Sequence, residues 1–439
     1  MLFERPKAGH KSVVLHVELR NQPNPELGEF VELAHSADIR VIDTLQARRD
    51  APNPNTFVGS GKVDEVGAAL RNAGADLLLI NHELSAGQQR NLERRLDCRV
   101  ITRTELILTI FADRARSHEG QLQVELAQLK HAQTRLVRGW THLDRQKGGI
   151  GLRGAGEKQI ELDQRMLNER LKAVEKKLRT VSKRREQVRR GRSRRGTPTV
   201  ALVGYTNAGK STLFNRVTDA QVYAEDQLFA TLDPTVRRIH VPGLNDVVLG
   251  DTVGFVSLLP HALVEAFKAT LEEVVHADLL LHVVDAADPL RDERIEQVRE
   301  VLKEITADDV PELLVFNKVD LLSDDELPGQ CGEWRADTAA PGAKICPVSA
   351  ITGAGVDALI ETIGEALGVA APHEVVLDCA DGKTRAWLYR SGAVLDEQTA
   401  EDGNLHLLLQ ADEQLLAQLK SSGQVELRGK GALPKISVH

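Results

Sequence analysis

Gly204-Tyr205-Thr206-Asn207-Ala208-Gly209-Lys210-Ser211 decides the fold of this chain. The stretch has the G-x-x-x-x-G-K-[ST] spacing of a phosphate-binding loop. The apolar run Thr199–Val203 before it reads as a buried strand, and Ser211–Val217 after it reads as a helix. That setting lets backbone N–H groups close around phosphate oxygens at a helix N-terminus. Lys210 would then reach the outer phosphates, and the Ser211 hydroxyl would bind magnesium. An ordinary glycine-rich turn is the alternative, and the flanking strand and helix weigh against it. The expectation is an α/β domain that binds a nucleoside triphosphate.

Three further stretches decide which nucleotide. Asp251-Thr252-Val253-Gly254 follows the apolar strand Val247–Gly250 and has the D-x-x-G form of a magnesium and γ-phosphate sensor. Asp251 would hold the ion through water, and the Gly254 N–H would meet the γ-phosphate. Asn317-Lys318-Val319-Asp320 closes another apolar strand, Glu312–Phe316. A carboxylate there accepts from the ring N–H and the exocyclic amine of guanine, a donor pair that adenine lacks; leaving buried polar groups unpaired discriminates strongly. Pro347-Val348-Ser349-Ala350-Ile351 ends a third strand, where a backbone N–H can read the guanine carbonyl. The four elements, separated by about fifty and then about sixty-five residues, run in the order of Ras-like and translation-factor-like GTPases. Between the first two lies Phe229-Ala230-Thr231-Leu232-Asp233-Pro234-Thr235. Either Thr231 or Thr235 is placed to lend a hydroxyl to magnesium, and only one can.

Composition narrows the class. With 439 residues, 42% of them apolar, the chain exceeds one core and suggests roughly two to four domains. Four cysteines, Cys98, Cys331, Cys346 and Cys379, form no C-x-x-C pair, which argues against structural zinc or a disulfide framework. No apolar stretch approaches a membrane span or a signal core, so the expected location is the cytoplasm, with membrane association at most peripheral. Net charge is −8, unevenly spread. Asp113 to Arg195 holds 23 Lys+Arg against 10 Asp+Glu, a net of +13 that leaves −21 for the remainder. A basic segment in an acidic protein suggests a polyanionic partner at that segment.

The order of patterns predicts four units. Residues 1–110 alternate strand and helix signals: strands at Val13–Leu19, Arg40–Leu45, Asp76–Ile80 and Arg99–Thr102, and helices at Glu26–His35, Gly61–Ala73 and Ser85–Leu96. Such alternation favours a mostly parallel sheet flanked by helices. Gly59-Ser60-Gly61-Lys62 has too few residues between its glycines for a second phosphate loop and reads as a turn capping the next helix. Residues 111–196 carry two heptad-patterned helices. The first has Leu122, Leu129, Leu136 and Leu143 with Leu126 and Trp140; the second has Ile160, Leu167, Val174, Val181 and Val188 with Leu171 and Leu178. Their succession predicts a long antiparallel hairpin; helices buried in a globular domain are the alternative.

The tip, Arg145 to Lys158, holds five glycines and four basic residues, and Glu169 to Arg195 carries 13 Lys+Arg against 3 acids. Backbone contact with folded RNA is the favoured reading, a flexible hinge the other; few aromatics argue against single-strand stacking. Residues 197–368 form the expected G domain, and 369–439 a small α+β domain. Strands are predicted there at Val375–Leu377, Arg385–Tyr389, Leu405–Leu409 and Gln424–Leu427, and a helix at Asp412–Lys420.

The combination of Gly204–Ser211, Phe229–Asp233, Asp251–Phe255 and the Gly148–Glu157 tip resembles the HflX GTPases of the Obg–HflX superfamily, over residues 1 to about 368. The resemblance implies a GTP phosphohydrolase with Mg2+, in which Lys210, Thr231 and Gly254 serve catalysis and Ser211 and Thr231 hold the metal. It implies that 229–233 line the nucleotide. It also implies binding to the large ribosomal subunit and its rRNA, with the hairpin tip toward the peptidyl-transferase region, and a part in ribosome splitting, rescue or biogenesis. DNA is not an expected partner, and a monomer is expected. Phe255 stands where Ras-like enzymes often carry a water-orienting glutamine, so slow unassisted hydrolysis and stimulation by a partner are expected. A nucleotide-stabilised scaffold, whose helical arm docks on a protein, is the rival reading.

Overall fold

A computed structural model describes residues 10–20, 24–140, 155–193, 197–218, 228–257 (except 230, 234 and 245), 271–323, 345–368, 373–378, 381–391, 393–399, 404–409, 419 and 425–430. The N-terminal unit is a parallel sheet in the order β2-β1-β3-β4: β1 Lys11–Leu19, β2 Arg40–Arg49, β3 Leu77–Ile80 and β4 Arg99–Thr102. Helices α1 Leu27–Ser36, α2 Ser60–Ala73 and α3 Ala86–Leu96 connect the strands. β3 is buried on both faces, as a continuous apolar run in a parallel sheet requires. Gly59 caps α2, in line with the turn predicted there, and Lys62 pairs with Glu65 at 2.8 Å.

Helix α4, Arg103–Arg114, is an addition to the expected elements. It follows β4 with no intervening loop, and Thr102 and Glu105 form the capping box that starts it. The signal was the S/T-x-x-E pattern at Thr102–Glu105.

The predicted hairpin consists of α5 His118–Trp140 and α6 Ala155–Ser193. Leu122, Leu126, Leu129, Leu167, Leu171 and Val174 share one buried seam, with Leu178 beside it. Gln133 meets Asn168, and Glu125 meets Arg170, so the helices run antiparallel. The two sequence readings divide along α5. Its foot is buried on a second face as well, where Val124 and Ala127 enter the core of the N-terminal unit. The tip at 141–154 lies outside the described residues, as do the side chains of Leu136, Trp140, Ile160 and Val188.

The central unit is a six-stranded sheet in the order β10-β9-β8-β5-β7-β6. Its strands are β5 Thr199–Val203, β6 Thr235–Ile239, β7 Val247–Asp251, β8 Leu279–Asp285, β9 Glu312–Asn317 and β10 Ile345–Pro347. All neighbours are parallel except β6 on β7. Helices α7 Lys210–Thr218, α8 Arg291–Glu304 and α9 Val356–Ala366 accompany it. A mostly parallel sheet puts the loops at the carboxyl ends of β5, β7, β9 and β10 on one edge, where ligands bind.

The last unit is an antiparallel sheet β12-β13-β11-β14, of β11 His373–Asp378, β12 Val394–Thr399, β13 Asn404–Leu409 and β14 Val425–Lys430. Arg385–Tyr389, expected as a strand, lies inside helix α10, Gly382–Ser391. Asp381 accepts from the Thr384 N–H and starts the helix. Leu388 then points into the core while Arg385 and Tyr389, one turn apart, both bond Glu397. Five alternating residues could not distinguish the two periods. The predicted helix at Asp412–Lys420 lies outside the described residues except for Leu419, which is helical and buried.

Candidate functional site

The phosphate loop leaves β5 at Gly204, whose φ is +145°, and turns through Asn207 (φ 60°) and Gly209 (φ 89°) into α7. Neither glycine admits a side chain. A Cβ on Gly204 would stand 2.2 Å from the Val283 carbonyl oxygen, and one on Gly209 would stand 2.2 Å from Asn317 Nδ2. Lys210 is buried, and its Nζ donates to the carbonyls of Gly204 (3.0 Å) and Tyr205 (2.7 Å). Burial lowers its pKa to about 8, against an opposing pull from Asp251. An ammonium held in this way gains most from an anionic ligand, which restores its charge.

Three oxygens meet beside it. Ser211 Oγ lies 2.7 Å from Thr231 Oγ1 and donates to Asp251 Oδ2 at 2.8 Å. Thr231 is therefore the threonine that reaches the loop; Thr235 instead begins β6, paired with Asp251. Burial raises the Asp251 carboxyl, partly offset by Ser211, Lys210 and Thr231. Its Oδ1 is buried with no hydrogen-bond partner. Hard oxygen ligands of a small divalent ion at about 2.1 Å in octahedral array lie about 2.9 Å apart, so this donor set fits magnesium. Among the described residues no group of three His, Cys, Asp or Glu forms another metal cluster.

Behind the loop, Phe255 bonds the backbone of Gly204 and Thr206. That brings Gly254 so close that a Cβ would lie 2.8 Å from Thr206 Cγ2 and 3.0 Å from Lys210 Nζ. The Phe255 ring is buried in the apolar cluster that also holds Phe30, Phe111 and Leu228. It offers no polar group to water.

At the other end, Asn317 braces the two base-side loops, donating to the Ala208 carbonyl at 2.9 Å and accepting from the Ala350 N–H at 2.9 Å. Ser349 Oγ donates to Asp320 Oδ1 at 2.5 Å. Lys318 (φ 65°) pairs with Asp285 at 2.8 Å. These parts enclose a cleft of about 370 Å³ lined by Thr206, Asn207, Gly209, Lys210, Ser211, Phe229, Thr231, Thr252, Gly254, Asn317, Lys318, Asp320, Ala350 and Ile351, among others.

Some expected lining residues stand elsewhere. Leu232 and Val253 are buried in the interdomain core, and Val319 packs beside Val284 and Phe316. The Asp233 carboxylate turns away to the start of α5, because three donors there outcompete open solvent. Ala230 lies outside the described residues.

Sequence reasoning missed a buried polar knot between the N-terminal and central units. Arg103 pairs with Glu29 and donates to Asn81 Oδ1 (3.1 Å), Ser257 O (3.0 Å) and Ser257 Oγ (3.1 Å). The Tyr205 hydroxyl donates to Glu29 and accepts from the Ser257 N–H at 2.7 Å. Desolvation, with Glu29 beside it, pushes the Tyr205 phenol well above its ordinary range. No local pattern announces a knot whose bonded members are 22 to 228 residues apart.

The sheet order, the phosphate loop and the oxygen trio define a P-loop GTPase. Family models match along the chain: GTP-binding GTPase N-terminal at 24–112, GTP-binding GTPase middle region at 114–192, 50S ribosome-binding GTPase at 199–318 and HflX C-terminal domain at 336–426. GTPase HflX of Escherichia coli (strain K12) is 51% identical over 408 residues, covering 92% of this chain and 94% of that protein. GTPase HflX of Magnetococcus marinus is 45% identical over 406 residues, with 92% and 91% covered. The chain belongs to the HflX family of GTPases and, as one, hydrolyses GTP. No helix among the described residues is long and apolar enough to cross a membrane.

Proposed function

We propose that this GTPase is a Mg2+-dependent, GTP-gated factor that binds the large ribosomal subunit through its helical arm. The reading takes residues 1–110, 111–196, 197–368 and 369–439 as its four functional units. The observation that carries it is α6, 39 residues long. Lys172, Lys176, Lys177, Arg179, Lys183 and Arg184 are exposed on it, with no acidic partner among the described residues. Unpaired cations along one helix are the electrostatic footprint of a phosphate backbone, and relatives described as 50S ribosome-binding support that source.

Ser211 and Thr231 would hold the metal, with Asp251 behind them; the ion would supply charge neutralisation for the leaving phosphate. Lys210 and the Gly254 N–H face the developing charge. Asp320 reads the two guanine N–H donors, and Asn317, held by the Ala350 N–H, fixes the loop beside it. Water attacks the γ-phosphorus, the bond to the β-bridging oxygen breaks, and GDP and phosphate leave. Phe255 cannot orient that water, so turnover is slow alone and faster on the ribosome. Loss of the γ-phosphate frees Thr231 and Gly254, and the arm releases. Splitting or rescue of ribosomes is the proposed task, with subunit maturation as its nearest variant, carried out in the cytoplasm.

Sedimentation with purified ribosomal subunits tests this, using a GTP analogue, GDP and no nucleotide. The expected result is pelleting with large subunits in the analogue only, weakening steeply with salt. Salt-insensitive binding to a protein partner would instead favour the scaffold reading.

A further inference from the structure

Asp233 lies two residues beyond Thr231, and its carboxylate is committed to another domain. Oδ2 accepts from the backbone N–H groups of Arg116 (2.9 Å) and Ser117 (2.7 Å), and Oδ1 accepts from the Ser117 hydroxyl (2.5 Å). Ser117 in turn caps α5, its Oγ accepting from the Gly120 N–H at 2.9 Å. Gly120 has to be glycine: a Cβ there would fall 2.2 Å from Asp233 Oδ1 and 3.2 Å from Ser117 Oγ. An anion at a helix start gains from the dipole and from charge-assisted hydrogen bonds.

Only Leu232 separates Asp233 from Thr231, and Leu232 is itself buried. Phe229, on the other side of Thr231, meets Phe111 of α4 edge-on with ring centroids 4.5 Å apart. The segment carrying the metal-facing threonine is thus fastened on one side to the foot of the arm and on the other to α4.

We propose that Asp233, Ser117 and Gly120 form a clasp of positioning residues that holds Thr231 on Ser211, so that GTP hydrolysis depends on the foot of the arm. The clasp rests on the reading of Thr231 as the switch threonine. It touches neither nucleotide nor metal and acts only through Thr231. Movement at the foot of α5 and formation of the GTP state become one event.

Gly120→Ala in the full chain tests the clasp. Alanine is the better helix former, but its Cβ would displace the Asp233 carboxylate, so a merely structural role predicts a lowered melting temperature with turnover and the GTP-to-GDP affinity ratio unchanged. The clasp predicts that kcat for GTP and the ratio of GTP to GDP affinity each fall about tenfold, the effect of losing a good helix cap, while GDP affinity holds. Ser117→Ala should move both quantities the same way and decides the matter if Gly120→Ala loses GDP binding. Thr231→Ala is the benchmark. If it leaves the affinity ratio unchanged, the switch reading fails and the clasp with it. If it lowers the ratio while Gly120→Ala and Ser117→Ala do not, the clasp alone is overturned.

Discussion

Asp320→Asn offers the sharpest test of the base pocket. The carboxylate is held from one side by the Ser349 hydroxyl, and the backbone around it is fixed by Asn317, whose amide ties Ala208 to Ala350. Its remaining acceptor capacity faces the cleft, where guanine presents two N–H donors. The substitution replaces an anionic acceptor by an amide, so two hydrogen bonds to a charged group are lost, each worth about 1.5–3 kcal/mol. The sum, about 3–6 kcal/mol, corresponds to a hundred- to ten-thousand-fold loss of GTP affinity. Xanthine carries a carbonyl where guanine carries the exocyclic amine, and the new amide can donate to it. Displacement of a fluorescent GDP analogue should therefore show weak GTP and strong XTP binding in the variant, and the reverse in the parent. Ser349→Ala, which only loosens the carboxylate, should cost GTP about three- to tenfold, as one net hydrogen bond. A GTP affinity in Asp320→Asn within about tenfold of the parent, or no gain for XTP, would refute the assignment of Asp320 to guanine.

Other outcomes follow from the same geometry. Gly209→Ala combines positive-φ strain with a Cβ 2.2 Å from Asn317 Nδ2; GTP and GDP affinity should both fall tenfold or more, at about 1–2 kcal/mol for the strain alone, by calorimetry. In nucleotide-free protein, burial puts Lys210 near pKa 8 against an ordinary 10.5, so the unfolded chain binds that proton more tightly. Its penalty on folding, of the order of 3 kcal/mol, is full below pH 8 and gone above 10.5. Lys210→Met should thus raise the nucleotide-free melting temperature at pH 7, with the gain shrinking toward pH 10, while abolishing GTP hydrolysis. Lys176, Lys177 and Arg179 changed together to Gln should flatten the salt dependence of ribosome binding, by about 0.7–0.9 in slope for each phosphate no longer neutralised, measured by sedimentation.

How much was legible depends on the range over which each element is determined. The phosphate loop, Asp251–Gly254 and Asn317–Asp320 are local strings whose spacing carries their chemistry, and they fall on one cleft. The N-terminal alternation from β1 to β4 reads correctly because turns separate the strands from the helices that connect them. Arg103–Arg114 was missed because no turn separates it from β4, although Thr102 and Glu105 announce it. Arg385–Tyr389 is too short for its period to be decided by anything but Asp381 and the core around Leu388. The hidden part is long-range. Nothing near Asp233 says that Ser117 will meet it from 116 residues away, nor anything near Tyr205 that Glu29 will. The choice between Thr231 and Thr235 waited for strand register.

The length of α6 has a geometric corollary. Thirty-nine residues at about 1.5 Å each make a rod of about 58 Å. A rotation of about 5° at its base, too small to break a hydrogen bond, sweeps the distal end by about 5 Å over that radius. Under the proposed coupling to Thr231, a small shift at the foot of the arm would become a displacement on the scale of a nucleotide at its end, without any bending of the rod itself.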